Sequence, residues 1–128
     1  MAYISQPRPD LPASAIPRIV TVARKNNARD GLNGVLVYTG ADFAQVIEGP
    51  DASAVALWLR VAADARHQEI SILVNETTDR PWFTDWRMGY IFNDETTRQF
   101  GVWRARRRRL DEADHVELRR LLASADSM

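Results

Sequence analysis

Two hydrophobic periods alternate along the chain. Ile16, Ile19, Val20 and Ala23 fall at i, i+3, i+4 and i+7, the stripe of an amphipathic helix. Ser14 is placed to cap it, with Pro17 in its first turn, and it is predicted to end around Arg24-Lys25-Asn26-Asn27, before the turn formers Asp30-Gly31 and Asn33-Gly34. Two β-branched and aromatic runs follow, Val35–Tyr38 and Phe43–Ile47, joined by Thr39-Gly40-Ala41-Asp42, which reads as a hairpin. Helical spacing then returns at Val55, Trp58, Leu59 and Ala62, widened by Leu57 and Val61, with Asp51 or Ser53 as the cap. Ile70–Val74 has strand composition, and after a turn-rich loop the residues Trp86, Met88, Tyr90 and Phe92 alternate onto one strand face. Ala2-Tyr3-Ile4-Ser5 is strand-like, whereas Pro7, Pro9 and Pro12 exclude regular structure just beyond it. Near the end, Leu118, Leu121, Leu122 and Ala125 mark a helix after the possible cap Asp111, and a shorter helix is expected around Thr96 to Trp103.

The order β-α-β-β-α-β-β predicts an α+β, ferredoxin-like fold: a five-stranded mixed sheet with two helices on one face. The C-terminal helices would lie on or beside the other face. No repeat, low-complexity block or linker divides the chain, so residues 93–128 read as an extension of the same compact unit as 1–92.

Composition narrows the chemistry. The 128 residues, 45% hydrophobic and 27% charged, suit one globular domain with its own core. A net charge of zero gives no general attraction to nucleic acid or anionic membrane, and the longest apolar run is far too short to span a bilayer. There is no cysteine, which removes disulfides, thiolate metal sites and thiol nucleophiles; with no export signal this suggests the cytoplasm. With His67 and His115 the only histidines, a histidine-built metal centre is not expected. The run Arg104-Ala105-Arg106-Arg107-Arg108-Arg109 is balanced by Asp111-Glu112-Ala113-Asp114 and reads as a solvated surface with pairing within or between chains. One position stands out from this ordinary background. Gln45 lies in the middle of the second hairpin strand, where an unpaired buried amide would cost about 1–3 kcal/mol.

Several blocks, in order, resemble the BLUF domain, a blue-light sensor using a flavin, usually FAD. They are Tyr3-Ile4-Ser5, Asn27, Gly31-Leu32-Asn33-Gly34, Phe43-Ala44-Gln45-Val46-Ile47-Glu48-Gly49-Pro50, Asp64-Ala65-Arg66-His67 and Trp86-Arg87-Met88-Gly89, and the match covers roughly residues 1–92. Asn33 stands where the family has threonine. The resemblance implies a non-covalent FAD, with FMN the alternative, lying between the two helices with Ile19 and Val61 as walls. Gln45 and Asn27 would serve its polar edge, since only an amide side chain offers both donor and acceptor. Arg60 or Asp64 would contact the flavin or orient Asn27. The implied mechanism is photochemical: Tyr3 gives an electron and a proton to the excited flavin, and Gln45 is left rotated or tautomerised. Trp86 and Met88 would relay the change to the C-terminal helices. The implied protein is a stand-alone photoreceptor, not an enzyme, signalling to an unidentified protein partner and forming a homo-oligomer; contact with membrane or nucleic acid is not expected.

Taken singly, these residues have plainer explanations. Asn27 would be a helix C-cap, Tyr3, Trp86 and Met88 packing residues, and Gln45 an amide paired to backbone. Arg60, Asp64 and Arg66 would be a solvated helix end, with His67 a structural hydrogen-bonder. Because only Met1 and Ala2 precede Tyr3, the first strand is expected to be short, and the rival reading is a flavin-deficient protein-interaction module of the same fold. An enzyme of the acylphosphatase type is disfavoured, because Gln6-Pro7-Arg8-Pro9 lacks the N–H groups of a phosphate-cradling loop.

Overall fold

The hairpin forms as its pattern predicts. Strand β2 (Asn33–Tyr38) pairs antiparallel with β3 (Phe43–Glu48), from Asn33 opposite Glu48 to Tyr38 opposite Phe43. The computed structural model describes residues 1–77, 89–91, 94–106, 108–122 and 126–127. Strand β1 (Ala2–Pro7) lies along the far side of β3, and β4 (His67–Val74) along the far side of β1, both antiparallel. These four strands, in the order β4-β1-β3-β2, are the body of the sheet. Beyond β2 lie two short additions, β5 (Gly89–Ile91), parallel to β2, and β6 (Asp126–Ser127), antiparallel to β5.

This corrects the expectation of five strands. The α+β class holds, but the sheet is four antiparallel strands plus two short ones, and a two-residue β6 has no sequence pattern to announce it. The first strand is not short either. It runs six residues, as far as Pro7, with partners on both sides. Proline is tolerated there because it ends the strand, where one fewer N–H leaves no gap in the ladder.

Helix α1 (Ile16–Asp30) is longer than predicted. Gly31 ends it in the left-handed conformation at φ 71° and donates its N–H to Asn27 O, so the helix runs on until a residue can adopt that geometry. Ala15, not Ser14, occupies the N-cap, after one 3-10 turn at Ala13–Ala15. Helix α2 (Asp51–Ala62) begins after Pro50, with no side-chain cap from Asp51 or Ser53. Its inward stripe is Ala54, Leu57, Trp58 and Val61, while Val55 and Leu59, expected inside, are 57% and 63% exposed. Helix α3 (Asp94–Arg106) is also longer than expected. Helix α4 (Glu112–Leu122) starts with a reciprocal cap: Asp114 N–H donates to Asp111 Oδ1 at 2.9 Å and Asp111 N–H to Asp114 Oδ2 at 3.3 Å.

Strand alternation divides the sheet into two faces. Ala2, Ile4, Val35, Val37, Ala44, Val46 and Leu73 pack against Phe100, Trp103, Leu110, Leu118, Leu121 and Leu122, so the C-terminal helices cover one face. Burying a side chain such as Phe100 completely contributes about 1.5–3 kcal/mol. The opposite face carries α1 and α2, but as two separate clusters. Ile16, Val20, Leu36 and Phe43 gather with Ile19 and Ala23; Tyr3, Leu32 and Ile47 gather with Leu57, Trp58 and Val61. The outer edge, β4, is blunted by a bulge at Glu69 (φ 55°) and by Leu110, whose N–H donates to Leu73 O at 2.8 Å. Among the described residues, no helix is long and apolar enough to cross a membrane.

Candidate functional site

Register brings the first two site residues together. Tyr3 on β1 stands directly opposite Gln45 on β3, so their side chains share the face covered by α1 and α2. The Tyr3 hydroxyl donates to Gln45 Oε1 at 2.6 Å, and both residues are buried. That bond also orients the amide: with Oε1 accepting, Nε2 is the end able to donate to a second group. The Tyr3 ring sits 5.6 Å from Trp58 and 6.0 Å, edge-on, from the His67 ring. Burial pushes the phenol well above its usual pKa; the charge of Asp64 adds to this and that of Arg66 opposes it. Tyr3 is therefore a protonated donor throughout the physiological range.

Gln45 occupies the seam between the two clusters. Its neighbours on the same strand face are Phe43, which belongs to the α1 cluster, and Ile47, which belongs to the α2 cluster. Ile19, on α1, packs against the first cluster and Val61, on α2, against the second. Asn27, in the last turn of α1, is 3% exposed, and its carbonyl accepts the N–H groups of Gly31 and Leu32. Asn27 is therefore not the C-cap that the plain reading expects: the helix runs on to Asp30 and Gly31 caps it. A seam between apolar walls, with a donor–acceptor amide at its floor, suits a planar heterocycle that presents alternating acceptors and donors along one edge.

The two charged candidates take different partners. Helix α2 ends at Ala62, so Asp64 lies beyond it and bonds Arg66 through both side chain and backbone. That pairing with Arg66 holds the Asp64 carboxyl below its usual pKa. Arg60 instead reaches Asp30 at the end of α1, at 3.7 Å, and is half exposed. The Arg60–Asp30 contact bridges the ends of the two helices. Trp86 and Met88 lie outside the described residues.

His67 has the structural role expected of it, in a place its sequence context could not reveal. Its Nε2 lies 2.6 Å from Val61 O, an acceptor, so Nε2 carries the proton and donates. On its other side, Nδ1 lies in hydrogen-bond contact with the Ser5 hydroxyl, at 2.7 Å. The ring ties the C-terminal turn of α2 to the strand that holds Tyr3. Ser5 was the overlooked member; its spacing of two from Tyr3 was the available signal. No group of three or more His, Asp or Glu residues among those described is placed to hold a metal ion.

Residues 1–89 match the BLUF family, sensors of blue-light using FAD. The chain belongs to the BLUF family. Among relatives, the blue light- and temperature-regulated antirepressor BluF of Escherichia coli is 30% identical over 70 residues, covering 55% of this chain and 17% of that protein. The chain spans less than a fifth of the length of the curated relatives it matches. Two solved structures match nearly the whole chain. The dark-state structure of BlrB, a BLUF protein, is 32% identical at TM-score 0.78 and covers 96% of this chain and 92% of that one. The photo-activated state of BlsA covers 99% and 95% at TM-score 0.80 and 24% identity, a likeness of fold.

Proposed function

We propose that this BLUF chain senses blue light through the Tyr3–Gln45 pair. When bound, FAD (or FMN) supplies blue-light absorption and a strong one-electron oxidant. Gln45 and Asn27 hold its polar edge, Ile19 and Val61 flank its ring, and Arg60 and Asp64 border the site. Tyr3 is the electron donor, and its proton has a path 2.6 Å long to Gln45 Oε1. Electron and proton return to Tyr3, so nothing is consumed. The lasting change is in Gln45, whose amide is acceptor at one end and donor at the other and therefore has two orientations with different partners. A change of that size amounts to a few kcal/mol and needs an element with two arrangements to amplify it; the last strand, with Trp86 and Met88, and the C-terminal helices fill that role.

The hydrogen bond from Tyr3 to Gln45, at the seam between the α1 and α2 clusters, carries this reading. The flavin-deficient alternative rested on a shortened first strand, whereas β1 is paired from Ala2 to Pro7. The test is the visible spectrum of the FAD-loaded protein before and after blue light. A reversible small red shift is expected. Protein that takes up no flavin on reconstitution, or takes it up and shows no shift, would overturn the proposal.

A further inference from the structure

We infer that the ion pair between Asp42 and Arg104 is the contact through which a change at Gln45 reaches the C-terminal helices. The inference rests on the photoreceptor reading above and adds a route that does not pass through the last strand. Asp42 opens into β3 three residues before Gln45, and its side chain is 2% exposed. Its backbone is fixed by Thr39, whose N–H donates to Asp42 O at 3.0 Å and whose hydroxyl accepts the Asp42 N–H at 2.9 Å. The start of β3 therefore sets where the carboxylate is anchored. Its partner is Arg104 in the last turn of α3, with Nη1 3.1 Å from Oδ1.

That pair is close but poorly aligned, since Oδ1 is buried and accepts no hydrogen bond. A buried oxygen in that condition is costly, so a small displacement of β3 or α3 changes its energy appreciably. On the opposite side of the sheet at Gln45, Ala44 and Val46 pack against the same C-terminal helices through Phe100, Leu118 and Leu122. The same turn of α3 grips α4: Arg106 pairs with Asp114 at 3.2 Å, and Trp103 Nε1 donates to Asp114 at 3.3 Å. One helical turn thus holds β3 on one side and α4 on the other, and it gives the start of the arginine run a role. A buried ion pair seldom adds net stability over apolar residues, so stability alone is a weak reason for this one.

The test uses FAD-loaded wild-type protein and the variants Asp42→Asn, Arg104→Gln, Arg104→Lys and the double Asp42→Asn/Arg104→Gln. Absorption reads the flavin, and hydrogen exchange with and without blue light reads residues 94–106 and 112–122. In the wild type, light is expected to produce both the red shift and a change of exchange in the two helices. Asp42→Asn and Arg104→Gln are expected to keep the red shift but lose the exchange response by about fivefold or more, within the usual range of coupling between sites. The double variant should lose no more than either single one, and Arg104→Lys should retain the response. An exchange response unchanged in both single variants overturns the inference, as does weaker protection in the dark with the light response intact. A wild type with no red shift fails the photoreceptor reading itself, in a different measurement.

Discussion

Replacing Tyr3 by Phe removes one oxygen atom from the middle of the sheet and leaves the ring. The ring keeps its contacts with Trp58 and His67, so little packing is lost. What changes is Gln45 Oε1, which loses the donor at 2.6 Å in a place that is 7% exposed. Leaving a buried acceptor unpaired costs about 1–3 kcal/mol, or roughly 5- to 150-fold in the unfolding equilibrium. For 128 residues the unfolding entropy at the midpoint is about 0.27 kcal/mol/K, so the expected loss in Tm is about 4–11 °C. Urea denaturation of flavin-free protein measures this without any photochemistry. Gln45→Leu alone should cost a comparable amount, because it strands the phenol instead. The double variant strands neither group, and its cost should fall short of the sum by about 1 kcal/mol or more. Additive costs, with Tyr3→Phe below about 0.5 kcal/mol, would mean that the bond is not formed in solution. In the FAD-loaded protein, Tyr3→Phe should abolish the red shift, and a persisting shift would remove Tyr3 as the electron donor.

Four further outcomes follow from the packing. A Cβ on Gly34 would stand 2.2 Å from the Val46 carbonyl oxygen, within the paired β2–β3 backbone, so Gly34→Ala should cost more than about 3 kcal/mol by thermal melting. Asp111→Ala removes the reciprocal cap of α4 and should cost about 1 kcal/mol in the same assay. On α2, Leu59→Lys should change stability by less than about 0.5 kcal/mol, whereas Trp58→Ala should cost about 3 kcal/mol; equal effects would mean that the helix is rotated from the face described. Burial raises the Asp42 pKa, against the pull of Arg104, so between the ordinary carboxylate value and that raised value the native state binds more protons than the unfolded chain. Asp42 therefore makes stability fall as pH rises through that window, and Asp42→Asn should remove this component of a pH series of urea melts.

The chain announces its site more clearly than its helix faces. Gln45 was conspicuous because a polar amide interrupts an apolar strand, and Gly40 and Gly34 frame the hairpin that carries it. The α2 stripe was misjudged because Val55, Trp58, Leu59 and Ala62 have the same spacing as Ala54, Leu57, Trp58 and Val61. Two overlapping apolar faces on one helix are equivalent until something lies beneath them; here Tyr3 and Ile47 do. Arg60 and Asp64 stand four apart, the spacing of one helix face. The helix ends between them, and Asp30, far away in sequence, takes the arginine.

By itself the sequence determined whatever depends on near neighbours along the chain: the order of strands and helices, the hairpin, the Asp111 cap, the glycine that stops α1 and the amide that needed a partner. Turn conformation, capping and periodicity act within a few residues, so they are written in short stretches. Only the tertiary structure decided which distant groups meet. The register of β1 on β3 sets Tyr3 against Gln45, the crossing of β1 and α2 gives Ser5 and Val61 a shared histidine, and the return of α3 over the sheet brings Arg104 to Asp42. The Tyr3–Gln45, Ser5–His67 and Asp42–Arg104 contacts join residues 42 to 62 positions apart, and they depend on how whole faces pack, which no local pattern encodes.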